Sequence, residues 1–129
     1  MSKICTTIEQ SNKLIELGLD INTADMYWRE LKYSAEPNFE AKIRQEGMMI
    51  ESPVVYSPAW SLTALMEVIS KANDFDEKDL ICSSTGYRYE MYYKKAKPND
   101  MQMHNGKCCN NPLDTAFDMV CWLLENKKL

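Results

Sequence analysis

The feature that most constrains this chain lies near its end. Asn111-Pro112-Leu113-Asp114 opens a segment in which nearly every later position is apolar: Leu113, Ala116, Phe117, Met119, Val120, Leu123 and Leu124, with only Asp114, Asp118 and Glu125 forming a polar ridge. Asparagine caps a helix by accepting a backbone N–H, proline fits the first turn where its missing N–H is no loss, and aspartate suits the positive helix end. The apolar stripe at i, i+3, i+4 and i+7 predicts a helix over 112–125, and its breadth requires other elements to cover it on most sides. Lys127 and Lys128 suit its negative end.

Two further helices are expected. Thr6 followed three residues later by Glu9 has the form of a capping box. Ile8, Leu14, Ile15 and Leu17 give the next turns an apolar side, and Gly18 with Leu19 predicts a left-handed stop in which Leu19 folds back on Leu14. Ser57-Pro58 reads as the cap and first turn of another helix, with Leu62, Leu65, Met66 and Ile69 as its stripe and Asn73-Asp74 as its end.

Strands are expected between the helices. Met26 to Tyr33 is aromatic and partly alternating, with Tyr27, Leu31 and Tyr33 on one side. Pro53-Val54-Val55-Tyr56 reads as a short strand confined to an edge by its proline. Leu80 to Ser83, a Ser84-Thr85-Gly86 turn and Tyr87 to Lys95 read as a hairpin; Tyr87, Tyr89, Met91 and Tyr93 face one way and Arg88, Glu90, Tyr92 and Lys94 the other. Met101 to His104 predicts another strand before the Asn105-Gly106 turn. Residues 34–52 hold no steady period, so a long connection is expected there, helical around Phe39 to Gln45. The sum is a single α+β domain over residues 1–129, about three helices on one face of a short, mainly antiparallel sheet.

With 129 residues, 45% of them hydrophobic, the chain can bury one core without staples. Five cysteines, an odd number with no C-x-x-C pair, suit reduced thiols in a cytoplasm, and the polar start shows no signal peptide. No apolar run approaches the roughly 18 residues needed to cross a bilayer. Net charge is 15 − 19 = −4, which disfavours coating of nucleic acid.

Candidate chemistry is sparse. His104, Cys108 and Cys109 mix zinc-ligand residue types, but adjacent cysteines diverge and a fourth ligand would have to be the distant Cys82 or Cys5. Cys82 and Cys121, placed on apolar elements, read as buried thiols rather than nucleophiles. The acidic stretch 74–79 lacks the glycine and closing glutamate of a calcium loop and reads as a solvated helix–strand connection. No phosphate-cradling or hydrolase motif is present. No catalytic residue, cofactor or metal ligand is therefore assigned, and alanine at His104 is expected to leave stability nearly unchanged.

Binding surfaces are easier to name. Arg88, Tyr92, Lys94, Lys95 and Lys97 interleave cations with tyrosines, as single-strand binders do, although lysines on a strand also guard against edge aggregation. Trp60, expected in the first turn of the middle helix, seals that helix against the sheet or anchors a partner. The residues at Thr23-Ala24-Asp25-Met26, Pro58-Ala59-Trp60-Ser61-Leu62 with Leu65, and Asn111 to Asp114 through Trp122-Leu123-Leu124-Glu125 carry a likeness. In them the chain resembles small uncharacterised proteins of phages and mobile elements of gut anaerobic bacteria. That resemblance implies an accessory role in a bacterial or phage cytoplasm and transfers no functional residues. The expected function is a non-enzymatic binding protein with a protein partner or a second copy of itself; the alternative is a small enzyme, or a single-stranded nucleic-acid binder using strand 87–97.

Overall fold

A computed structural model of the chain describes residues 3–32, 35–94 and 102–129. Its elements are α1 (Ile8–Glu16), a 3₁₀ turn (Ile21–Thr23), β1 (Met26–Glu30), β2 (Phe39–Ile43), β3 (Ser57–Ala59), α2 (Leu62–Ser70), β4 (Phe75–Ser83), β5 (Gly86–Tyr93), β6 (Met103–Asn105) and α3 (Pro112–Glu125). The α+β class holds. The strands divide into two antiparallel three-stranded sheets, ordered β2-β1-β3 and β4-β5-β6.

Helix α3 is central, as its breadth of apolar residues requires. Leu113, Ala116, Met119, Val120 and Leu123 are buried and join Leu14 of α1, Leu65 and Ile69 of α2, and Tyr89 and Met91 of β5 in one core. The Asn111 side chain accepts the Asp114 N–H at 2.8 Å, the expected cap. Asp114 does more than suit the helix end. It accepts from Lys3 Nζ and Gln10 Nε2, each at 2.9 Å, and so ties the start of the chain and α1 to α3. Burial alone would raise the Asp114 carboxyl; hydrogen bonds from Gln10, Lys3 and Asn111 outweigh it and hold the group below its ordinary value.

The capping box of α1 lies one residue later than Thr6–Glu9: Thr7 Oγ1 accepts the Gln10 N–H at 3.1 Å and Gln10 Oε1 accepts the Thr7 N–H at 3.0 Å. Thr6 is taken up elsewhere. Its hydroxyl accepts the Trp60 N–H at 3.0 Å and bonds the buried Ser11 hydroxyl at 2.8 Å, and its carbonyl accepts the Trp28 indole N–H at 2.9 Å. At the other end, Gly18 has φ +97°, and Leu19 N–H and Gly18 N–H donate to Leu14 and Ile15 carbonyls at 3.0 Å, the Schellman ending the sequence predicts.

Three expectations need correction in the middle of the chain. Residues 39–43 form a strand, not a helical stretch, because Phe39, Ala41 and Ile43 alternate with Glu40 and Lys42 at period two. The strand expected at Pro53 to Tyr56 is a turn, and pairing starts at Ser57 instead. Consequently Ser57 is no helix cap: α2 starts four residues later, capped by Ser61, whose hydroxyl accepts the Ala64 N–H at 3.2 Å. Pro58 is tolerated in β3 because that strand is an edge and the residue opposite, Tyr27, directs its backbone bonds to β2.

The hairpin is longer than the sequence suggested. β4 begins at Phe75, so the acidic stretch lies within a strand, with a bulge between Phe75 and Glu77. β5 buries Tyr89 and Met91 on its inner face, as alternation predicts, and β6 places His104 opposite Met91. Tyr33, expected at the end of β1, lies outside the described residues.

Candidate interaction surface

Trp60 is fully buried, in the residue before the Ser61 cap rather than in the first helical turn. Its indole N–H donates to Thr23 Oγ1 at 2.9 Å, and its backbone exchanges bonds with Thr6. Asp25 accepts the Ser61 N–H at 2.9 Å and is bonded by the Ser61 hydroxyl as well. This is the seal between α2 and the sheet with the shorter strands, β2-β1-β3, called the small sheet below. As a partner anchor Trp60 is withdrawn, since the ring has no exposed surface.

The tyrosine–cation strand presents Arg88 and Tyr92 on the outer face of β5, Lys94 follows its last residue, and Lys95 and Lys97 lie outside the described residues. Register decides what this face can hold. Glu77 lies opposite Tyr92 and Asp79 opposite Glu90, so three carboxylates share the face. Arg88 Nη2 is paired with Glu90 Oε1 at 2.9 Å, and the Tyr92 hydroxyl donates to Glu90 Oε2 at 3.0 Å. Hydrogen bonds from Arg88 and then Tyr92 hold the Glu90 carboxyl below its ordinary value, whereas Glu90, burial, Asp79 and Glu77 raise the Tyr92 phenol. A phosphate here would meet negative charge first.

His104 is not the idle surface residue expected. Its ring stacks on Trp122 with centroids 3.6 Å apart and planes 12° from parallel. Burial lowers its pKa and the Asp118 carboxylate partly opposes this. The thiols are free. Burial, then Asp25, pushes Cys5 up to about 11, and burial does the same to Cys121; Cys109 is also raised, chiefly by burial. These thiols are held in their protonated, poorly nucleophilic form. Cys121 is buried as expected, but Cys82 is exposed, because it lies at the hairpin tip beyond buried Tyr89 and Met91.

Four of the nine exposed large apolar residues among the described ones lie in β2 or in the stretch between it and β3. Ile43 is 74% exposed, Met49 68%, Tyr56 55% and Val54 53%. An open cleft of about 570 Å³ lies between residues 29–32 and residues 53–56. Its floor is set by the end of β1 and by the turn that replaces the expected strand: Val55 packs inward on the core, which leaves Val54 and Tyr56 facing out. Phe39 of β2 braces Tyr56, ring centroids 4.5 Å apart. Arg29, Glu30 and Lys32 supply charge of both signs around this apolar centre. A second hollow, about 680 Å³, is organised from within by Arg44, whose guanidinium donates to the carbonyls of Met48, Asn22 and Ala24. Sequence reading missed the cleft because it took Pro53 to Tyr56 for a strand. The signal was present in the adjacent Val54 and Val55, which cannot both point inward.

No protein-family model, curated protein or solved structure matches the chain. Among the described residues, no helix is long and apolar enough to cross a membrane, and no group of three or more His, Cys, Asp or Glu side chains is placed to hold a metal ion.

Proposed function

We propose that this chain is a non-enzymatic accessory protein that works by binding another protein through the cleft beside the small sheet. The reading rests on one observation: Val54 and Tyr56 stand more than half exposed at an open cleft with a mixed-charge rim. Apolar centres ringed by polar groups are where protein partners dock, and an aromatic held by a neighbouring ring loses little freedom on binding. An accessory role in a bacterial or phage cytoplasm, which the sequence resemblance implies, forms part of the proposal. The nucleic-acid alternative is opposed by Glu77, Asp79 and Glu90 on the very face it would use.

The test is native co-purification from cells with the wild-type chain and with a Val54→Asp, Tyr56→Ser double variant. Both positions are exposed, so the variant should keep its fold by circular dichroism and lose a stoichiometric protein partner. A partner profile identical to wild type would overturn the proposal.

A further inference from the structure

We infer that strand β2 pairs with β2 of a second copy of this chain, joining two small sheets into one of six strands ordered β3-β1-β2-β2-β1-β3. β2 is one of the two edge strands of its sheet, the other being β3 with its proline. The Leu31 N–H donates to Asn38 O at 2.8 Å and the Arg44 N–H to Asp25 O at 2.9 Å, which fixes Asn38 and Arg44 as bonded toward β1. In an antiparallel ladder such positions alternate, so Glu40 and Lys42 also bond β1, while the N–H and C=O groups of Phe39, Ala41 and Ile43 point away from it. Among the described residues, no other backbone or side chain bonds those outward groups.

The sequence of the strand is self-complementary about Ala41. An antiparallel pairing centred there sets Ala41 against Ala41 once, on the two-fold axis, and Phe39 against Ile43 and Glu40 against Lys42 of the second copy twice each. The outward-pointing residues face one another, so the backbone bonds form without a change of register. Sliding the pairing to a centre at Glu40 opposes two glutamates, and a centre at Lys42 opposes two lysines. Both neighbouring registers are penalised. Ile43, 74% exposed in the single chain, would gain Phe39 of the second copy as its cross-strand neighbour. Edge strands usually carry lysine to prevent such pairing. Here the one lysine is matched by a glutamate at the symmetric position, which turns a guard into a register signal. The pairing goes beyond the partner proposed above, since the cleft is lined by no β2 residue.

Sedimentation velocity and light scattering over a dilution series up to millimolar test the inference. The wild type should show a reversible monomer–dimer equilibrium. Glu40→Lys and Lys42→Glu should each weaken it by about tenfold, since each replaces two attractive cross-strand pairs with repulsive ones. An equimolar mixture of the two variants should restore dimer, because every charged pair is again opposite in sign. Ile43→Asp, at a position too exposed to affect the fold, should also weaken the dimer and serves if a charge variant misfolds. A wild type that stays monomeric throughout would overturn the inference. So would a dimer that the β2 variants leave intact, or a mixture no tighter than either variant alone.

Discussion

Replacing Trp60 probes the seal between the small sheet and α2. The side chain has no exposed surface, and its indole N–H is bonded to Thr23 Oγ1 at 2.9 Å. Its backbone bonds to Thr6 are open to alanine and phenylalanine alike, so these variants isolate the ring. Truncating a buried tryptophan to alanine costs about 3–5 kcal/mol, from lost transfer energy and the cavity left behind. A domain of this kind is stable by about 5–15 kcal/mol, so Trp60→Ala should remove about a fifth of the total or more. At about 4 °C per kcal/mol the melting temperature should fall by roughly 12–20 °C. Trp60→Phe keeps most of the ring and loses the hydrogen bond and some volume, for a cost of about 1–2 kcal/mol. Denaturant unfolding followed by circular dichroism measures both, with an unchanged slope showing that only stability moved. If both variants fall within about 1 kcal/mol of wild type, the ring is not the seal described.

Gly86 has φ +133°, and a Cβ there would lie 2.5 Å from the Cys109 carbonyl oxygen, so Gly86→Ala should lower stability by about 2 kcal/mol or more. Gly18, at φ +97° in open space, should lose only about 1 kcal/mol on the same change; thermal melts of the pair separate steric from conformational cost. His104→Ala should cost about 1 kcal/mol through the lost stack on Trp122, in place of the near-zero effect that sequence alone suggests. His104 also gives stability a pH dependence. Its folded pKa lies below 6.5, so the unfolded state binds more protons in the window between the two values, and stability falls as pH drops from neutrality through that window. Denaturation of wild type and His104→Gln from pH 8 to pH 5 should show that step in the wild type only. Neutralising Glu77, Asp79 and Glu90 to their amides should raise binding of a single-stranded oligonucleotide at low salt from a negligible wild-type level, and equal binding by both proteins would refute the electrostatic account of that face.

The elements legible in the sequence were those with local signals. Asn111-Pro112 with its apolar stripe located α3 to the residue, and Gly18-Leu19 located the end of α1, because caps and stops act within a few residues. Alternation located Tyr89 and Met91 as the buried face of β5. Errors fell where tertiary demand overrode a local pattern. Thr6 has the residue type of a cap, but Trp28, Trp60 and Ser11 occupy its polar groups, so Thr7 takes the role. Ser57-Pro58 has the form of a helix start, yet β1 claims it as a strand. For the cleft the sequence holds only the local hint of Val54-Val55, since the gap itself forms when Pro53 to Tyr56 turns instead of pairing. His104 was misread because its partner, Trp122, is brought to it only by packing α3 beside β6.

The most direct test of the functional account is photocrosslinking in cells with a photoreactive amino acid placed singly at Val54 and at Arg88. The account predicts a discrete protein adduct from position 54 and none from position 88. Adducts from position 88 alone, or an oligonucleotide adduct there, would move the working surface from the small sheet to the hairpin and contradict it.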